Sequence, residues 1–188
     1  MPESLHGKKI AIVATDGFEQ SELLEPKKML EQAGAETEVI APKSGEIKGW
    51  NMKNWGDSVK VDRTLEGAHA EDYDALVLPG GVMNPDHLRM NPQAVEFVRN
   101  FVISGRTVAA ICHGPWTLVE AGVVQGRTFT SWPSLKTDLK NAGATWVDKE
   151  VVTDGQFISS RKPDDLPAFG KAIIEALGKQ ERRLKKAS

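Results

Sequence analysis

A single cysteine, Cys112, excludes an internal disulfide and points to a reducing compartment, taken here as the cytoplasm. No apolar run reaches the roughly 18 to 20 residues that a bilayer crossing needs, so no membrane partner is expected. The opening residues, MPESLHGKK, lack the basic-then-apolar order of a secretory signal. Positive charge is not in excess either. The 24 Lys and Arg against 26 Asp and Glu leave a formal net charge of -2, which gives no electrostatic footprint for nucleic acid. Histidine is scarce, and His6, His69 and His87 are isolated, without metal-ligand spacing, so neither a metal nor a cofactor is expected.

What is present is ordinary for a globular protein, with 40% apolar and 27% charged residues. A chain of this length buries roughly 70% of its unfolded surface and needs no staple. No internal repeat or low-complexity linker divides it. We read one domain over residues 1–178, followed by a basic, flexible tail over residues 179–188, KQERRLKKAS.

Short β-rich runs alternate with amphipathic stretches, the pattern of a parallel sheet covered by helices on both faces. The runs are 9–15 (KIAIVAT), 37–41 (TEVIA), 74–79 (DALVLP), 107–112 (TVAAIC) and, as a fifth candidate, 128–132. Helices are predicted over 22–33, where Pro26 should kink or delay the first turn, and over 92–104, capped by Asn91 and closed by Gly105. Three more are predicted over 115–121, 135–142 and 164–177. Two stretches depart from the alternation. Residues 43–62 are polar and Gly-rich and carry Trp50 and Trp55, which either pack on their own domain or serve an oligomer contact. Residues 151–160 centre on Asp154-Gly155, a hairpin signal.

Cys112 ends a β-run and precedes His113-Gly114-Pro115 and a helix, which places its sulfur on a strand-to-helix turn of the nucleophile-elbow type. In an open parallel sheet, ligands bind beyond the carboxyl ends of the strands, where Cys112 lies. The helix beginning at Pro115 and the amides of His113 and Gly114 are expected to lower the thiol pKa from about 8.5. Glu19, after the first strand, and Gly80-Gly81, after the third, can meet Cys112 across the crevice.

Four segments in this order, DGFE (16–19), ALVLPGG (75–81), AICHGP (110–115) and SSRKPDDL (159–166), resemble the PfpI intracellular-protease family, in the class I glutamine amidotransferase-like superfamily. The resemblance runs from about Lys8 to Leu177. It implies an α/β flavodoxin-like three-layer sandwich with a mostly parallel sheet, assembled as a homodimer or higher homo-oligomer. It assigns Cys112 as nucleophile, Glu19 as the acid bonded to the thiol, His113 as its neighbour, and Asp86 as a carboxylate reaching a neighbouring subunit's histidine. The amides of Gly80, Gly81 and His113 fall where the family forms its oxyanion hole. Glutamine hydrolysis is excluded, because the glutaminases take a histidine from the C-terminal side and none follows His113.

Three functions follow. In the first, the Cys112 thiolate and Glu19 act on small reactive carbonyls or their protein adducts, as in a glyoxalase or deglycase. In the second, Cys112, His113 and Asp86 of another subunit cleave peptides. In the third, Cys112 is an oxidation sensor. Adjacent residues normally send their side chains apart, which argues against His113 and for Glu19 as the group that touches the sulfur.

Overall fold

The computed structural model describes residues 4–187, with side-chain surroundings given as far as residue 180. Along the chain run β1 (Lys9–Val13), β2 (Phe18–Glu19), α1 (Gln20–Gln32), β3 (Glu36–Ala41), β4 (Glu46–Asn51), β5 (Asn54–Lys60) and β6 (Arg63–Thr64). There follow β7 (Ala75–Leu78), α2 (Met83–Arg89), α3 (Pro92–Ile103), β8 (Thr107–Ile111), α4 (Pro115–Glu120) and β9 (Thr128–Phe129). The last elements are α5 (Lys136–Asn141), β10 (Thr145–Trp146), β11 (Val151–Asp154), β12 (Phe157–Ser160) and α6 (Leu166–Ala187).

Seven strands form the central sheet in the order β11-β12-β8-β7-β1-β3-β6. All its pairings are parallel except that of β11 with β12. The alternation of β1 explains the continuous apolar runs: Ala11 and Val13 enter one core layer, while Ile10 and Ile12 enter the other. With helices covering both faces, β7, β8 and β12 are buried along their whole length, as is β1 after Lys9. The mostly parallel, doubly covered α/β sheet expected from the sequence is therefore what forms. Its order reverses between β1 and β7, the switch point beside which ligand sites of such sheets lie.

The fifth predicted strand needs correction. Residues 128 and 129 pair only with β10 in a separate two-stranded sheet, and β12, from the predicted hairpin, takes the place beside β8. A DG turn with Gly155 at φ 59° reverses the chain, so β11 is left as the antiparallel edge. The Trp-bearing stretch is also a hairpin, β4–β5, joined to β2 in a three-stranded sheet. Trp50 and Trp55 pack edge to face with ring centres 5.5 Å apart, and Trp55 is half exposed.

Among the helices, α3 matches its signals. The Asn91 side chain accepts a bond from the Ala94 amide at 3.1 Å, and Gly105 takes φ 75° just past the end. In α6, Leu166, Phe169, Ile173 and Leu177 form the buried stripe. The helix does not stop at Leu177 but runs to Ala187, with Gln180 Nε2 bonded to Thr107 Oγ1 at 3.0 Å, so its backbone takes in most of the segment expected as a tail. The side chains of 181–188 and residues 1–3 lie outside the described residues. Among the described residues no helix is long and apolar enough to cross a membrane.

Candidate active site

Three loops meet at the sheet's carboxyl edge, leaving β1, β7 and β8. Buried Asn84 ties two of them together: its Oδ1 accepts from the Thr15 amide at 2.8 Å, and its Nδ2 donates to the carbonyls of Pro79 and Gly80 at 3.0 and 3.1 Å. The Glu19 amide adds a bond to the Gly80 carbonyl at 3.2 Å. The third loop is the elbow. Cys112 is one of only two non-glycine residues with positive φ among the described residues, at 63°, a backbone state that costs energy and concentrates at functional sites. Its amide donates to the Ser160 carbonyl and its carbonyl accepts from the Trp132 amide, at 3.1 and 3.0 Å, so the neighbouring chain holds the turn from both sides.

That left-handed turn corrects the expectation about His113. The two adjacent side chains converge, with His113 Nδ1 3.2 Å from Cys112 Sγ. The imidazole is stacked on Trp132 and meets Trp116 edge-on, and burial lowers its pKa, favouring the neutral ring.

The carboxyl beside the sulfur is Glu22, three residues beyond the expected Glu19. Helix α1 begins at Gln20, two residues before the predicted start, and Pro26 does not delay it. Glu22 thereby joins Pro26 and Leu30 on the buried face at i, i+4 and i+8. It is wholly inaccessible; Oε2 accepts from the Gly80 amide at 2.8 Å, and the carboxyl and the Cys112 thiol are close enough for each to shift the other's pKa. Burial pushes its pKa up to about 8, with Glu19's charge adding to the rise, so the carboxyl is neutral at pH 7. Glu19 itself stays half-buried at the rim, at the N-cap position of α1 without a side-chain capping bond, and accepts a bond from the Ser21 hydroxyl. Its influence on the site is that of a nearby charge. An acidic residue in register with an apolar helical stripe was the available signal for Glu22.

Two amide assignments also change. Gly80 donates to Glu22 and is not free for a substrate oxyanion, while the Gly114 amide is taken by the Ile111 carbonyl at 2.8 Å. The amides that face the sulfur are those of Gly81 and His113. Asp86 stands exposed on α2 and makes no hydrogen bond to His113 within this protomer; the ring's Nε2 lies instead 3.4 Å from Ser134 Oγ.

The thiol does not have the lowered pKa predicted for it. Burial, followed by the charge of Glu22, pushes Cys112 up against the downward pull of the two amides, and the six-residue α4 supplies little dipole. Cys112 and Glu22 therefore share their protons. Once the pair has lost one, Gly81 and His113 favour charge on sulfur, whereas Gly80 favours it on Glu22. Alkylation of Cys112 by iodoacetamide is expected to climb as pH passes through about 8, where the pair first ionises. A rate already level by pH 6 would contradict this proton sharing.

Comparison with known proteins agrees with the fold. The sequence profile of the DJ-1/PfpI family matches residues 8–176. The chain is 44% identical over 173 residues to protein/nucleic acid deglycase 2 of Escherichia coli, covering 91% of this chain and 98% of that one. It is 41% identical over 169 residues to deglycase PfpI of Pyrococcus furiosus, covering 90% and 99%. Among solved structures, a two-domain protein from Anabaena variabilis with DJ-1/ThiJ/PfpI-like and ferritin-like domains superposes with a TM-score of 0.86 at 40% identity. That match covers 91% of this chain and 48% of the other.

Proposed function

Because the chain belongs to the DJ-1/PfpI family, we propose that it is a stress-protection enzyme of deglycase or glyoxalase type, acting on small reactive carbonyls and their amine adducts. One observation carries this reading: the Cys112 thiol lies between a neutral, buried carboxyl and a neutral imidazole, an acid and a base on one nucleophile. With the cysteine only 7% exposed, the site admits an aldehyde more readily than a folded polypeptide segment.

In this mechanism His113 Nδ1 takes the thiol proton as sulfur bonds to the aldehyde carbon, and Glu22 gives its proton to the carbonyl oxygen. The product is a hemithioacetal, and passing the His113 proton to Glu22 resets both groups. For a 2-oxoaldehyde, His113 then moves the C1 proton to C2 through an enediol, yielding a thioester. Water hydrolyses it to a 2-hydroxy acid and free thiol. For a hemiaminal adduct, sulfur displaces the amine at the same carbon and the amine leaves intact. Burial keeps Glu22 protonated, and the charge of Glu19 adds to that from outside the chemistry.

The competing peptidase reading uses the same Cys112–His113 contact, with Asp86 of another subunit in a homo-oligomer. A turnover panel separates the two. Wild type is expected to consume methylglyoxal and restore methylglyoxal-treated N-acetyl-lysine, with both activities lost in Cys112→Ala and casein left intact. Methylglyoxal loss and adduct reversal no faster than with Cys112→Ala would overturn the proposal. Casein cleavage that requires both Cys112 and Asp86 would establish the peptidase in its place.

A further inference from the structure

We propose that Ser134 is a positioning residue for His113, holding the imidazole toward Cys112 from within the same protomer. The inference rests on Cys112 being the reactive group, as proposed above. Its basis is the far side of the ring. His113 Nδ1 faces sulfur at 3.2 Å, and Nε2 faces Ser134 Oγ at 3.4 Å, the long end of hydrogen-bonding distance and one that catalytic contacts commonly tighten when substrate binds.

The serine is placed by the elbow itself. The Trp132 amide donates to the Cys112 carbonyl at 3.0 Å, and a single 3-10 turn, Pro133–Leu135, follows, closed by the Leu135 amide on the Trp132 carbonyl. Cys112 and Ser134 are thus joined by one backbone bond and one turn. The ring between them has little freedom: Trp132 stacks on it with an interplanar angle of 23°, and Trp116 meets it at 67° with centres 5.0 Å apart. Trp116 is fixed in turn by the bond from its Nε1 to Asp138 Oδ2 at 2.9 Å.

These aromatic walls fix the plane of the imidazole but not which nitrogen carries the proton. The thiol at Nδ1 sets that, and the Ser134 hydroxyl, able to accept or donate, supplies the matching acceptor at Nε2. While Cys112 keeps its proton, the thiol donates to Nδ1, so the ring hydrogen sits on Nε2 and donates to Ser134 Oγ. When the thiol proton crosses to Nδ1, the Nε2 hydrogen stays on the same acceptor, and no group has to turn. Within the protomer the group at Nε2 is a neutral hydroxyl, which adds no charge to the ring. Such a ring suits the brief proton transfers of carbonyl chemistry.

The test reads the ring directly. Wild type, Ser134→Ala and Ser134→Thr would be labelled with 15N-histidine, the His113 signals assigned by their loss in His113→Gln, and the rate of Cys112 alkylation measured in the same samples. In wild type the ring is expected as the Nε2-protonated tautomer. Ser134→Ala should mix the two tautomers and slow alkylation about fivefold, the scale of one lost hydrogen bond, and Ser134→Thr should restore both. Unchanged ring shifts and rate in Ser134→Ala would overturn the proposal, as would a Thr variant as impaired as Ala. Neither readout uses a carbonyl substrate, so failure of the proposed function would show separately, in the turnover panel.

Discussion

Replacing Glu22 with Gln is expected to raise the melting temperature at pH 7 while lowering carbonyl turnover by about 10²-fold or more, the usual worth of a general acid. The sign of the stability change comes from proton linkage. Unfolded, the Glu22 carboxyl ionises near 4.5; folded, it holds its proton to about 8. Between those values the native state binds a proton that the unfolded state has released, so rising pH favours unfolding. This group's contribution is full below pH 4.5, shrinks as pH rises to about 8, and is level beyond. By pH 7 the loss is about 3 kcal/mol. The substituted amide has no such proton to lose. Its oxygen can still accept from the Gly80 amide, while its NH2 group meets a pocket in which Glu22 Oε1 has no partner. The remaining gain of about 2 kcal/mol corresponds to a rise of roughly 5 °C for a chain of this size. Thermal melts at pH 5 and pH 8 are the check, with the two proteins diverging at the higher pH. A Glu22→Gln protein less stable than wild type at pH 8 would refute the assignment of a buried neutral acid, and unchanged turnover would refute its catalytic use.

Gly80→Ala should damage fold and site together. A Cβ at this position would lie 2.5 Å from Glu22 Oε2, 2.6 Å from Cys112 Cβ and 2.8 Å from the Ile111 carbonyl oxygen. Two of these three obstacles belong to the elbow, one of them backbone, and cannot swing aside as a long side chain does. Relief requires the Pro79–Gly81 loop to retreat from β8, which breaks the Gly80–Glu22 bond and withdraws the Gly81 amide from sulfur. The expected cost is about 1–3 kcal/mol for overpacking, plus about 1 kcal/mol for the bond. Gly67→Ala supplies the control, because its nearest contact would be 3.8 Å, ordinary van der Waals distance. Denaturant unfolding and iodoacetamide reactivity should both change in Gly80→Ala and hold in Gly67→Ala. If Gly80→Ala keeps wild-type stability and reactivity, the three loops are not packed as tightly as described.

Burial explains why Cys112 did not acquire the low pKa that its elbow suggested. A strand end, a following helix and adjacent amides are visible in sequence, and each favours a thiolate. The opposing effect comes from residues distant in the chain: Glu22, and the Gly80 loop that Asn84 pins to the end of β1. The site instead holds Cys112 protonated beside an acid that is also protonated, and the thiol's reactivity depends on which partner gives up the first proton.

By itself the sequence determined the alternation of strands and helices, the place of Cys112 at a strand end, the Asn91 and Gly105 boundaries of α3, and the hairpin at Asp154-Gly155. All of these are local: apolar periodicity, capping residues and turn chemistry act over a few positions and survive without knowledge of neighbours. Tertiary structure decided which strand pairs with β8, because residues 128–129 and 157–160 are both short β-rich runs and only packing separates them. It also decided the partners of sulfur. Glu22 displaced Glu19 because α1 starts at Gln20 and turns that carboxyl inward, and His113 reached Cys112 because the elbow holds a cysteine at positive φ. Ser134, twenty-two positions from Cys112, was brought within reach of that histidine by one backbone bond from Trp132 to Cys112. Helix phase and backbone sign are settled by the sum of distant contacts, and they determine which way a side chain points.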